Sequence, residues 1–417
     1  MTQAAKHTLV IGGGVIGAFC AWYLQQAGRK VTIVDKGEFG AGCSHANCGY
    51  VSPSHILPLP KPGQLRIGLK AMFSNKGPLR IRPGLSPSLW AWLLKFASRC
   101  NQRDMLLAGA GRTAILESSR KLYQEIIEGE NLAVEWKTDG LLFVFRDKQH
   151  FEHFAETDQL LRTKFHVPAE AIEGAALAEM EPALKKGLAG AWHYPNDAHL
   201  RPDRLMSELH RRLQETGVTI VENKTVKKFV HRADGVSAVV TDAGEITADE
   251  FVVATGPLTP MLNRELGCRI PIQPGKGYSI TMPRPKICPR YPMLLEEVHV
   301  GITPFDSGYR IGSTMELAGY NSEMSPQRLQ YLRTGAAEYL VDPLAEPVME
   351  EWFGWRPMTW DGLPYIDRTP RFKNVWVAAG HNMLGLSMGT ATGKLISELL
   401  TEQKPHIDPQ PYRIGRS

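Results

Sequence analysis

The chain has 417 residues, of which 43% are apolar and 22% charged, with a formal net charge of +5. That length exceeds a single hydrophobic core and predicts two domains, or one large domain with another interleaved, while so small and scattered a positive excess gives no ground for nucleic-acid binding. Six cysteines without a CxxC pair argue against a zinc knuckle or a disulfide-stapled scaffold and fit a reducing, cytoplasmic setting.

The first residues, Met1 to His7, run straight into the apolar stretch Thr8-Leu9-Val10-Ile11 with no charged-then-apolar leader, so a secreted protein is not expected. The best candidate for a membrane span, residues 10–24, is short and broken by four glycines. Apolar periodicity predicts a strand over 9–11, a glycine turn at Gly12-Gly13-Gly14, a helix over 15–27 and a strand over 30–34. This βαβ unit carries Gly12-x-Gly14-x-x-Gly17, with Asp35 at the end of its second strand. In that context the glycines have distinct tasks: Gly12 permits the tight turn, Gly14 lets backbone approach a pyrophosphate, and Gly17 lets helix pack on strand. The helix amino terminus then faces phosphate, and Asp35 accepts from ribose hydroxyls while disfavouring a 2′-phosphate.

Residues 53–87 are punctuated by proline and glycine and read as a long excursion between cores. Helices are expected over 88–96 and 113–127, and strands over 140–145, 218–221, 236–241 and 251–253, the last ending at Ala254-Thr255-Gly256. Two antiparallel strands are expected over 277–282 and 308–312. The carboxyl end repeats the opening theme, with a strand over 375–378, the turn Gly380-His381, and a helix over 389–400. These later glycine turns favour FAD over NAD: a chain that closes twice more over a long dinucleotide can aim a second helix amino terminus at the flavin edge, where negative charge accumulates on reduction. The order predicts an α/β plus α+β architecture. A Rossmann-like FAD-binding domain is assembled from 1–65, 195–265 and 350–417, and an interleaved antiparallel-sheet substrate domain from 66–194 and 266–349.

The residues Cys43-Ser44-His45-Ala46-Asn47-Cys48-Gly49-Tyr50-Val51-Ser52-Pro53 and Gly354-Trp355-Arg356-Pro357 through Tyr365 resemble two elements of the FAD-dependent D-amino-acid dehydrogenases and their relatives, the glycine and sarcosine oxidases, within the D-amino-acid oxidase superfamily. The similarity spans nearly the whole chain. It implies oxidative deamination of a small D- or cyclic amino acid by hydride transfer from the α-carbon, giving an imine that hydrolyses to a 2-oxo acid, with no protein acid or base assigned. Electrons pass to a quinone or respiratory acceptor. An oxygen-using amine oxidase that yields hydrogen peroxide is one alternative, and a non-catalytic or modifying flavoprotein on the same fold is another.

By that resemblance Arg356 holds the substrate carboxylate, a task that suits a planar guanidinium. The competing reading pairs it structurally with Asp361 or Asp367. Tyr278 and Tyr50 are expected at the substrate, with a core-filling role as the alternative for each. The expected FAD contacts are Gly12, Gly14, Val15, Ile16, Gly17, Asp35 and Lys36 at the first turn, Ser44, His45 and Asn47 in the loop after it, and Val226, Thr255, Gly256, Gly380, Leu384 and Gly385 downstream. His45 stands where the family has phenylalanine and invites covalent attachment, but its register is one residue out and no cysteine follows Gly380-His381, so a non-covalent flavin is expected. His381 is assigned to the helix start. Cys43, His45 and Cys48 offer too few ligands for a metal, and none is expected. Residues 65–101 combine Arg66, Lys70, Lys76, Arg80 and Arg82 with Leu89-Trp90-Ala91-Trp92-Leu93-Leu94, a mixture that suits peripheral membrane contact beside a quinone; a helix on the core under a solvated basic loop is the alternative.

Overall fold

The computed structural model describes residues 5–73, 77–81, 86–233 and 235–416. Two sheets organise it. In the first, six strands run in the order Tyr365–Arg368, Val375–Ala379, Glu250–Val253, His7–Ile11, Lys30–Val34, Thr219–Val221. All pairings are parallel except that of Tyr365–Arg368 with Val375–Ala379. Strands as uniformly apolar as Leu9-Val10-Ile11 and Val375 to Ala379 require cover on both faces. On one face the helices Val15–Gln26, Gln102–Gly129 and Gly385–Leu400 pack together, burying Phe19, Tyr123, Leu395 and Ile396. On the other, a three-stranded sheet over residues 226–247 and the turn at Gly256–Leu262 supply Phe229, Val239 and Leu262.

The second sheet has nine strands, in the order Glu350–Thr359, Ile272–Met282, Gly308–Leu317, Val300–Phe305, Met293–Leu295, Leu141–Phe145, Gly190–Tyr194, Glu170–Glu173, with Leu79–Ile81 added beside Gly308–Leu317. The helix Pro326–Tyr339 covers its outer face through Leu329, Leu332 and Ala336. The inner face looks toward the carboxyl ends of the parallel strands of the first sheet, and a cavity of about 1710 Å³ lies between.

Several expectations need correction. The stretch read as an excursion holds the helix Gln64–Phe73 and the strand Leu79–Ile81, which pairs with residues 315–317. The last helix begins at Gly385, not 389. The boundary placed at 350 falls inside the second sheet, because Glu350–Thr359 is hydrogen-bonded along Ile272–Met282. Lys76 and Arg82 of the basic segment lie outside the described residues. Among the described residues no helix is long and apolar enough to cross a membrane.

Candidate active site

At the end of the first strand Gly12 takes φ 112°, and a Cβ there would stand 2.5 Å from the Ala254 carbonyl oxygen. Only glycine allows the ends of the strands His7–Ile11 and Glu250–Val253 to approach this closely. The helix Val15–Gln26 starts at Gly14 with no side-chain cap, so its positive end is left facing the cavity. Asp35 closes the second strand and is fixed by two amides: its Oδ2 accepts from Gly13 N–H at 2.6 Å and its Oδ1 from Gly37 N–H at 2.8 Å. Each oxygen keeps a lone pair for a further donor. The loop over residues 41–49 crosses this turn, where Ser44 Oγ accepts from Val15 N–H at 2.9 Å and Asn47 Nδ2 donates to the Ser44 carbonyl at 3.1 Å. Gly12, Gly14, Val15, Ile16, Asp35, Lys36, Ser44, Asn47, Val226, Thr255, Gly256, Leu384 and Gly385 all line the one cavity.

Three expected contacts lie elsewhere. Gly17 is packed against the turn, where a Cβ would meet the Gly12 carbonyl at 1.8 Å. Gly380 shapes the chain from behind, with φ 85° and the Thr359 side chain over it, and hands the cavity on to His381, Leu384 and Gly385. His45 turns away altogether: its Nε2 lies 2.8 Å from Glu350 Oε1 in a neighbouring cleft with Asp203 and His210.

At the other end of the cavity Arg356 is half-buried, and desolvation lowers its pKa. Its Nη1 donates to the Thr314 carbonyl at 2.5 Å, and no carboxylate lies within ion-pair distance among the described residues. The aspartates proposed as its partners are otherwise engaged: Arg416 pairs with Asp361 at 2.6 Å, and Asp367 accepts from Ile414 N–H. The guanidinium lies against Gly277, where a Cβ would stand 2.2 Å from Nη1. Gly277, Tyr278 and Ser279 all border the cavity, and strand alternation turns the Tyr278 side chain away from it. Accordingly Tyr278 is 2% exposed, its hydroxyl is 3.2 Å from Glu316 Oε2, and its ring joins the core with Ile280 and Val300; the core reading holds for this residue. Tyr50 borders the cavity, with its hydroxyl 2.9 Å from the Met293 carbonyl and 3.0 Å from that of Ile302. It therefore ties the loop to the sheet.

Burial pushes the Cys43 thiol up to about 11 and the Cys48 thiol upward, so neither is a thiolate. No group of three His, Cys, Asp or Glu side chains among the described residues could hold a metal ion. His381 is buried with its Nε2 3.0 Å from Thr392 Oγ1, and burial drives its pKa down to about 3, which keeps the ring neutral. Beside it Asn382 adopts φ 54° and accepts from Thr359 N–H at 2.9 Å, holding the turn that opens the last helix. Leu384 caps that helix without a side-chain bond.

Sequence reasoning missed the role of Gly277 and the contribution of Thr314. The first was readable, since Gly275-x-Gly277 inside a strand signals close approach by another group. The second was not, because Thr314 acts through a carbonyl that every residue has. The wall formed by His55, Leu57 and Leu59 was hidden in the proline-rich stretch.

Two helix starts facing one cavity, an acid at the end of the second strand and a half-buried cation at the far end define a dinucleotide-binding oxidoreductase fold. The family described as FAD dependent oxidoreductase matches residues 7–399, and the chain belongs to it. It is 31% identical over 416 residues to a D-amino acid dehydrogenase of Agrobacterium fabrum, covering 98% of this chain and 99% of that one. It is 32% identical over 413 residues to one of Methylobacterium nodulans, covering 96% of each. Among solved structures, a glycine oxidase of Bacillus cereus superposes with TM-score 0.77 at 19% identity, covering 99% of both chains. An L-proline dehydrogenase of P. horikoshii does so with TM-score 0.73 at 20% identity, covering 98% of this chain and 97% of that one. The residues present fit FAD: the glycine cradle admits no Cβ at Gly12, both helix starts face the cavity without a bond from their N-cap side chains, and the cavity exceeds the roughly 300–1,000 Å³ of ordinary small-ligand sites, leaving room for an amino acid as well.

Proposed function

We propose that this FAD-dependent oxidoreductase oxidises the Cα–N bond of a small D- or cyclic amino acid, with the cofactor held non-covalently and electrons passed to a quinone at a membrane surface. The observation that carries the reading is Arg356, a half-buried guanidinium at the cavity wall with one backbone carbonyl and, among the described residues, no carboxylate as partner. A half-buried cation facing a cavity is completed by an anion, and two parallel N–H donors select a carboxylate. The names of the sequence relatives support the D configuration.

FAD, when bound, supplies the two-electron acceptor for hydride leaving the α-carbon. The chain supplies the rest. Gly12, Gly14, Asp35 and Ser44 hold the dinucleotide, and the start of the helix Gly385–Leu400 offers positive potential where charge accumulates. Arg356 fixes the carboxylate and so orients the α-carbon. The apolar wall favours the neutral amine, which can push electrons, over the ammonium form. His381 and the cavity thiols remain neutral and take no proton.

The test is an anaerobic visible spectrum of the purified protein before and after adding D- and L-amino acids, glycine, sarcosine and cyclic imino acids. Bleaching by D- or cyclic amino acids is the expected result. A yellow protein that none of them bleaches would overturn the reading and leave only flavin binding. Hydrogen peroxide in proportion to substrate consumed under air would replace the quinone by oxygen.

A further inference from the structure

The strand Gly308–Leu317 is regular against Ile272–Met282 from the pair Tyr309 and Met282 to the pair Ser313 and Tyr278, but the next pair is Glu316 with Lys276. Three steps on one strand answer two on the other, so one residue is extra and the ladder bulges. There Ser313 has φ 112° and Thr314 φ 55°, two consecutive non-glycine residues in the left-handed region. L side chains hold that conformation only where the surroundings over-determine it. The bulge is pinned from behind, since Met315 N–H donates to the Pro78 carbonyl at 2.8 Å and residues 315–317 pair with Leu79–Ile81. Nothing local rewards it: Thr314 is 3% exposed and its Oγ1 has no hydrogen-bond partner. What the bulge does is aim the Thr314 carbonyl at Arg356 Nη1, 2.5 Å away, while Gly277 leaves space for the guanidinium.

We propose that the Ser313–Thr314 bulge is a positioning device for the substrate carboxylate: it occupies one donor of Arg356 through the Thr314 carbonyl, fixes the guanidinium plane, and leaves the remaining N–H groups to grip the acid. This rests on the reading that Arg356 binds that carboxylate. In a regular strand the same carbonyl points along the ladder to its neighbour, and the half-buried five-donor fork is left short of an acceptor and free to turn.

The experiment titrates holoenzyme with acetate, a carboxylate that cannot be oxidised at Cα–N, and reads the visible absorbance of the bound flavin. Wild type is compared with Ser313→Gly, Ser313→Val, Arg356→Lys and the Ser313→Val/Arg356→Lys double variant. Glycine takes positive φ without strain, whereas a β-branched residue does not. Ser313→Val is expected to raise the acetate Kd about tenfold or more, with Ser313→Gly within about twofold of wild type and both melting alike. The double variant should bind acetate no more weakly than Arg356→Lys alone, because both changes act through one guanidinium. Equal affinity of the valine and glycine variants, or full additivity in the double variant, overturns the positioning role while leaving Arg356 as the carboxylate site. An unchanged Kd in Arg356→Lys overturns the carboxylate reading and the positioning role with it. Should Ser313→Val fail to hold flavin, Ser313→Ala reads the same quantity, with a rise of about threefold expected and equality with Ser313→Gly overturning the proposal.

Discussion

At the scale of single residues, the active-site assignments divide by whether a side chain or a backbone group does the work. Arg356 was legible because its motif carries a side chain with one suitable chemistry. Arg356→Lys is expected to lower kcat/KM about 100-fold or more, chiefly through KM, since lysine cannot reproduce a bidentate grip; steady-state rates at low substrate with unchanged flavin content check this. Gly277→Ala should act in the same direction, because its Cβ would stand 2.2 Å from Nη1 and displace the guanidinium. A loss in kcat/KM of about tenfold is expected there, again without loss of flavin. His45 shows what sequence withholds. Its place in the loop is correct, but nothing local tells which side the ring takes, and the partner that decides it, Glu350, is 305 positions away. His45→Gln should therefore retain FAD, and denaturing wild-type protein should release all its flavin into the supernatant; colour left in the protein pellet would contradict the non-covalent assignment.

At the scale of elements, the glycine turns and apolar strands of the first sheet were readable, because glycine and periodicity are local signals. The helix Gln64–Phe73 and the strand Leu79–Ile81 were not, since prolines around them imitate a loop and the strand is fixed only by pairing with residues 315–317. The same segment is tethered at its start by Asp197, whose Oδ1 and Oδ2 accept from the Ser54 N–H and hydroxyl at 3.0 and 2.6 Å. Burial raises the Asp197 pKa from 3.8 to about 7, against the lowering effect of those two bonds. The folded protein thus holds a proton that the unfolded chain releases near pH 4. Stability from this group is complete below pH 4 and is lost as pH rises through about 7, by on the order of 4 kcal/mol. Asp197→Asn, neutral at every pH, should flatten the dependence. Between pH 5 and pH 8.5 the wild-type melting temperature should fall several degrees further than that of the variant; parallel curves would remove Asp197 from the account.

At the scale of the whole molecule, assembly of the first sheet from both chain ends and a middle segment was legible in three separated strand-to-turn signals. The order of the second sheet was not, because its pairing of Met293–Leu295 with Leu141–Phe145 joins strands that no local pattern relates. One consequence appears only in three dimensions. Leu65, Ile67 and Leu69 on the helix Gln64–Phe73 and Trp90 and Leu94 on the helix Pro87–Ser98 are exposed by 43–71%, and the first of these helices also carries Arg66 and Lys70. Ile67, Leu69 and Lys70 also line the cavity, so the catalytic chamber opens through the face that carries the apolar and basic groups. On the proposed reading, such a face would meet anionic lipid, with apolar burial and Lys or Arg attraction acting together, and would give a lipid-dissolved quinone a short route to the chamber. The protein should co-sediment with vesicles of phosphatidylglycerol, less so as salt is raised, and the double change Leu65→Asp/Leu94→Asp, at exposed positions off the cavity wall, should abolish sedimentation while anaerobic bleaching by substrate persists. Protein that stays in the supernatant at low salt would separate the exposed face from any lipid and return the quinone to the question of what else could reach the chamber.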